Sequence, residues 1–213
     1  MKFVMSYSCG KDSTLALHKL LEEGHKAVAL LVMVNKDAGR SWFHGADDEL
    51  LNKYSRALEI PLILCPAKGE EYHLAFEEGL RKAMAQGAEL AVFGDIDIER
   101  NRRWCVDRCE AVGIGYRFPL WQRNRREIVD EIISTGYSCL IKAINNEKLP
   151  KDILGMTLGA EVIEIMEEHN IDVCGENGEY HTIAVGGPIF KHKLKYTVGE
   201  RLDFGITSVI DIR

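Results

Sequence analysis

The 213-residue chain predicts an α/β fold: a parallel sheet with helices on both faces, followed by a smaller α+β C-terminal domain. Three observations carry this. Strand-like apolar runs alternate with amphipathic helical stretches through the first 136 residues, the rhythm of successive βαβ units. A tight loop of small residues joins the first strand to the first helix, as at an anion site on an open parallel sheet. After residue 136 the alternation gives way to a β-rich pattern with one helix.

Strands are predicted at 2–7, 27–33, 61–64, 90–94 and 115–118, and helices near 13–23, 46–58, 70–86 and 99–112. Glu22-Glu23-Gly24 is expected to end the first helix, Pro61 to open the third strand, and Gly87 to end a helix whose Leu74, Phe76, Leu80 and Met84 would pack against the sheet. Beyond that, 137–144 reads as a strand, 157–169 as a helix, and 180–185, 190–196 and 208–213 as strands. No linker or repeat interrupts the chain, so domains at 1–136 and 137–213 should meet at a tight junction.

Composition and charge narrow the function. The chain is 46% hydrophobic and 28% charged, with no apolar run of membrane-spanning length and no signal-peptide pattern, which predicts a cytoplasmic protein. Cys9, Cys65, Cys105, Cys109, Cys139 and Cys174 form no Cys-x-x-Cys pair, and free thiols suit a reducing compartment. Cys105 and Cys109 read as two small side chains on one helix face rather than a metal pair. Net charge is −6, yet residues 100–126 hold eight arginines against Asp107 and Glu110. That local balance of +6 points either to an acidic partner such as a nucleotide or to a solvated helix face. Sparse aromatics and the lack of a reading module argue against nucleic acid.

Ser8-Cys9-Gly10-Lys11-Asp12-Ser13 is the stretch richest in chemistry. The first-turn N–H groups and the positive helix end favour a phosphate over the loop. Lys11 supplies a point charge, Ser8 and Ser13 hydroxyls, and Asp12 a ligand for magnesium. Cys9, at a helix N-terminus, is expected to have a lowered pKa. A single glycine precedes Lys11, so this is not a Walker loop. The loop instead resembles the Ser-Gly-Gly-x-Asp-Ser signature of the PP-loop ATP pyrophosphatases, which cleave ATP between the α and β phosphates, with Cys9 at the second position.

Two further stretches are candidates. Gly94-Asp95-Ile96-Asp97 follows an apolar strand, where Gly94 allows close backbone approach and Asp95 or Asp97 serves a metal or a ribose, or else the segment is a turn before the next helix. Cys174-Gly-Glu-Asn-Gly-Glu-Tyr-His-Thr182 packs two carboxylates, an amide, an imidazole and a hydroxyl into seven residues. Asn177-Gly178 alone reads as a type I′ turn, which leaves Glu176, Glu179, His181 and Thr182 to be explained.

Together the two loops resemble the diphthine–ammonia ligase family of PP-loop ATPases, and the likeness runs from Met1 to about Tyr196. Trp42-Phe43-His44, Gly94-Asp95-Ile96, Pro119-Leu120-Trp121 and Gly186–Lys191 also fit. The short chain looks like the compact prokaryotic form. The resemblance implies an N-terminal domain of the adenine nucleotide α-hydrolase type, ATP and magnesium as cofactors, and activation of a carboxylate as an acyl-adenylate that ammonia attacks. It implies nucleotide contacts from Ser8 to Ser13 and at Gly94 and Asp95, with Lys11 stabilising the leaving group. It also implies acceptor contacts at His44, Glu176, Asn177, Gly178, Glu179 and Thr182, and ammonia handling by Glu176, Glu179 or His181.

In archaea and eukaryotes the family's acceptor is diphthine, a modified histidine of elongation factor 2. Bacterial chains with both motifs exist where no diphthamide is made, so the resemblance also allows an enzyme acting on another carboxylate or amide, such as in cobalamin salvage. An RNA-thiolating PP-loop enzyme and a non-catalytic nucleotide sensor are the competing readings. Free ammonium is the expected nitrogen source, and oligomeric state stays open, a homodimer included.

Overall fold

The structure, a computed structural model, describes residues 1–42 and 44–213. Phe43, part of the expected Trp42-Phe43-His44 mark, lies outside them. Strands β1 (Lys2–Ser6), β2 (Lys26–Asn35), β4 (Leu62–Ala67), β5 (Leu90–Val92) and β6 (Gly115–Arg117) form a parallel sheet in the order β4-β2-β1-β5-β6. The two-residue β3 (Arg40–Ser41) adds antiparallel to the end of β2. Apolar runs such as Ala29–Val34 in β2 are buried throughout, as expected of strands covered on both faces.

Helices α1 (Lys11–Glu22), α2 (Asp48–Leu58) and α5 (Arg125–Ser134) contribute to the core on one side of the sheet, and α3 (Tyr72–Ala85) and α4 (Glu99–Val112) to the core on the other. On α2 the apolar set Leu50, Leu51, Tyr54, Ala57 and Leu58 turns inward, and Asp47 caps the helix by accepting from Leu50 N at 2.8 Å. The chain leaves β1 towards β2 and β4 and returns on the far side as β5. The carboxyl ends of β1 and β5 therefore diverge at the switch point, where open α/β sheets bind ligands.

The second sheet is antiparallel, in the order β8 (Tyr180–Gly186), β7 (Ser138–Asn145), β10 (Thr207–Ile212), β9 (Val198–Asp203), with α6 (Ala160–Glu168) beside it. Its apolar residues join those of α1, α2 and α5 in one continuous core. β8 bonds directly to the first sheet's loop and helix: Ala184 N donates to Cys9 O at 2.8 Å, and the Tyr54 hydroxyl donates to Ala184 O.

Three elements differ from expectation. Residues 190–196 form no strand, because Lys191 N and His192 N both donate to Ala57 O at the end of α2 instead of entering a ladder. The edge position falls to β9, whose residues are all exposed and so lack the apolar alternation that marks a strand in sequence. Helix α5 is not among the expected helices, although Asn124 caps it with bonds from Arg126 N and Glu127 N, and Ile128, Val129 and Ile132 form its buried face.

Candidate active site

Gly10, the N-cap of α1, has no side chain to close the helix end, and Asp12 and Ser13 lie inside the first turn rather than capping it. Ser13 Oγ lies 3.1 Å from Ser8 Oγ and donates to Gly10 O at 3.1 Å, while Gly10 N donates to Ser8 Oγ at 3.3 Å. The loop thus holds its own shape at the positive end of α1.

Cys9 corrects the expectation of an activated thiol. Its φ of 68° lies in the left-handed region where a glycine would sit without strain. The conformation turns its side chain into the core, fully buried, and burial pushes the thiol pKa well up. All six cysteines are free and buried. We expect dithionitrobenzoate at pH 8 to leave the folded protein unlabelled over minutes and to label every thiol in denaturant. Rapid labelling of Cys9 in the native state would contradict this placement.

Gly94 lines the cleft beside Asp12 and Ser13 and also has a packing task. A Cβ there would stand 2.8 Å from Ser13 N and 2.9 Å from the Asp12 carbonyl carbon, so the bare glycine lets β5 pack against the first turn of α1. Asp95 faces the cleft, and burial, aided by the nearby Asp12, raises its carboxyl to about 6. Asp97 instead takes a two-pronged bond from Arg125, at 2.7 Å to each oxygen, which holds its pKa below the ordinary value.

Two adjoining cavities converge here. One, of about 380 Å³, runs from Ser8, Asp12 and Ser13 to a wall of Tyr72, Phe76, Phe93 and Trp104, with Phe76 and Trp104 centroids 5.2 Å apart. An end lined by hydroxyls and the first turn of α1, together with an aromatic end, suits a nucleotide. The other, of about 260 Å³, lies over Lys11, His44, Tyr180, His181 and Thr182. Asp12, Asn101 and Glu176 line both. The aromatic wall escaped sequence reasoning, because only the fold brings α3, α4 and β5 together.

The two loops touch through Lys11, whose backbone N donates to Thr182 Oγ1 at 3.1 Å. Its buried ammonium lies 2.8 Å from Asp12 Oδ2 and 5.5 Å from the Tyr180 ring centre. Burial opposes its charge, but Asp12, Tyr180, Cys174 and Glu176 outweigh that and hold the pKa well above the ordinary value. Glu176 is pushed up to about 7, first by burial and then by Asp12, with Lys11 and Arg125 pulling the other way. His44 packs on Gly10, 3.1 Å from where a Cβ would be, and its ring meets that of His181 at 5.4 Å. Burial and His181 lower His44 to about 3; burial and Lys11 also lower His181. Both imidazoles are therefore neutral near pH 7.

Glu179 does not join them and is a correction to the expected acid–base set. Its buried carboxylate accepts from Asn177 N at 2.9 Å and pairs with Lys148 at 3.4 Å, so it fixes the turn at the exposed Asn177-Gly178. The loop is also held by Asp172, which accepts from Cys174 N at 3.0 Å and Glu176 N at 3.3 Å. Arg125 joins Asp172 to Asp97. Six more of the eight arginines, Arg102, Arg103, Arg108, Arg117, Arg123 and Arg126, are also paired to carboxylates, so most of the local positive balance is matched within the chain.

Asp12, Cys174 and Glu176 present ligand atoms within 4.8 Å of one another. Two carboxylates suit a hard cation such as magnesium. Cys174 is buried, which lifts its thiol pKa to about 12.

Among the described residues no helix is long and apolar enough to cross a membrane. The diphthine–ammonia ligases of Rattus norvegicus and Homo sapiens are each 26% identical to this chain, over 94% and 91% of it and 84% and 82% of their own lengths. The diphthine–ammonia ligase of Saccharomyces cerevisiae is 24% identical over 90% of this chain and 34% of its own length. A solved structure, a predicted subunit of tRNA methyltransferase from Methanocaldococcus jannaschii, aligns with a TM-score of 0.47 and 13% identity over 91% of this chain and 99% of that one. The diphthamide synthase N-terminal domain matches residues 1–116 and the diphthamide synthase C-terminal domain residues 124–213. Matched across both halves, the chain belongs to the diphthamide synthase family.

Proposed function

We propose that this protein, an ATP-dependent ligase by family, amidates the carboxylate of diphthine on elongation factor 2, with ATP and ammonia as co-substrates and AMP and pyrophosphate as products. The observation that carries this reading is the shared wall of Asp12 and Glu176 between a nucleotide-shaped cavity and a second chamber over Lys11 and His181. A carboxylate oxygen in the second chamber attacks the α phosphorus, and the bond to the β phosphate breaks. Lys11 and the positive end of α1 stabilise the departing pyrophosphate. Ammonia then attacks the activated carbonyl carbon, the carbon–oxygen bond to AMP breaks, and Glu176 takes the proton released from nitrogen. Its pKa of about 7 suits that transfer near neutral pH better than the depressed imidazoles do.

Of the two carboxylates Asp12 would hold magnesium, which when bound would offset the negative charge of the phosphates and leave Glu176 to accept the proton. Ser8 and Ser13 contact phosphate, Asp95 faces the nucleotide, and His44, Gly178 and Thr182 shape the acceptor chamber, with Asn177 exposed on the turn outside its lining. Residues 1–136 form the nucleotide part and 137–213 the acceptor part, and the free thiols suit the cytoplasm. Incubation with ATP, magnesium, ammonium and diphthine-bearing elongation factor 2 should yield AMP together with the carboxylate-to-amide mass change. Binding of ATP with neither product would overturn the reading.

A further inference from the structure

The chain's exposed apolar surface gathers on one hairpin. Of the seven large hydrophobic side chains exposed among the described residues, four lie on β9–β10: Val198 (52% exposed), Leu202 (43%), Phe204 (67%) and Ile206 (63%). Single exposed apolar residues are ordinary, whereas a cluster marks an interaction surface. The tip is also fixed. Gly205 N donates to Asp203 Oδ1 at 3.0 Å, Asn146 Nδ2 to Gly205 O at 2.5 Å, and Asn146 N to Ile206 O at 2.8 Å. A pinned backbone presents Phe204 and Ile206 at little ordering cost to a partner.

Strand register ties this hairpin to the site. His181 pairs with Ala143, Ala143 with Val209 and Val209 with Leu202, and residues opposite one another in a ladder share a face. One row thus runs from the acceptor chamber to the hairpin, three strand spacings or about 14 Å. A small carboxylate seated by His181 does not reach that far, but a folded polypeptide presenting one side chain there does. Lys151–Asp203 and Arg201–Asp152 give the patch the charged rim usual at protein interfaces.

We propose that the β9–β10 hairpin is the docking surface for the polypeptide that carries the acceptor carboxylate; this rests on the protein-amidating reading above. The test compares wild type with a Phe204→Ser/Ile206→Ser double variant on two acceptors, intact diphthine-bearing elongation factor 2 and a short peptide with the same residue. The variant should raise KM for the intact factor at least about tenfold, as loss of a binding hot spot does, with peptide turnover and KM for ATP unchanged. Peptide turnover also reports that the variant is folded. As a second readout, a photo-crosslinking benzoylphenylalanine at position 204 of the active protein should capture the intact factor. A wild type active on both acceptors but a variant with unaltered KM overturns the docking surface alone. So does a variant whose only change is dissociation of a dimer in sedimentation, because the occupant is then a second copy. A wild type inactive on both acceptors overturns the underlying reading, and the docking proposal with it.

Discussion

Glu176→Gln is expected to lower turnover by about 10²–10⁴-fold while ATP binding persists, the range typical of a lost general base. The wild-type kcat/KM, measured at constant free ammonia, should rise with pH through about 7 as the carboxylate ionises, and that limb should vanish in the variant. Stability should move the opposite way. A carboxyl raised from 4.5 to about 7 holds its proton in the folded protein where the unfolded chain has lost it. Wild-type stability therefore falls as pH rises from 4.5 to 7, and the penalty is full above 7. Glutamine never ionises, so the nucleotide-free variant should melt higher than wild type at pH 8, by up to about 3 kcal/mol. Water on the open side of this partly exposed group reduces that figure. The two proteins should converge below pH 4.5. An active site that loses rate and gains stability on one substitution is under functional constraint; unchanged turnover with unchanged melting would remove Glu176 from the chemistry.

The same comparison shows what the sequence can and cannot reveal. Apolar periodicity located β1, α1 and β8, because a buried face leaves a period that survives in one dimension. The first loop was readable because its chemistry is local: Ser8, Lys11, Asp12 and Ser13 act within a single turn. Glu176 and Glu179 were not separable, since each flanks the same Asn177-Gly178 turn. Only burial and partners divide them, one lining both cavities and the other bonded to Asn177 N and Lys148. Cys9 misled for a related reason. A helix N-terminus lowers a thiol's pKa only if the sulfur faces it, and a positive φ turns this one into the core. The aromatic wall and Arg125 had no local sign, because their partners lie far off in sequence and meet only across the switch point.

Arg125 should be the second most sensitive position despite touching neither cavity. Its guanidinium takes Asp97 in two bonds of 2.7 Å and Asp172 through a third nitrogen, and Asp172 in turn holds Cys174 N and Glu176 N. The loop after β5 and the loop before β8 are thereby locked in one geometry around Glu176. Arg125→Ala should release that lock and lower kcat by about 10–10²-fold, the scale of a displaced catalytic group, with ATP affinity little changed. Lysine offers a single ammonium in place of a planar fork, so Arg125→Lys should recover only part of the loss. The pH profile distinguishes positioning from simple destabilisation. Arg125 favours the ionised form of Glu176, so its removal should move the ascending limb of kcat/KM above 7, while unfolding at the assay temperature would lower the amplitude without moving the limb. A full-rate alanine variant with an unshifted limb would mean that the loop before β8 keeps its shape through Asp172 and Glu179 alone.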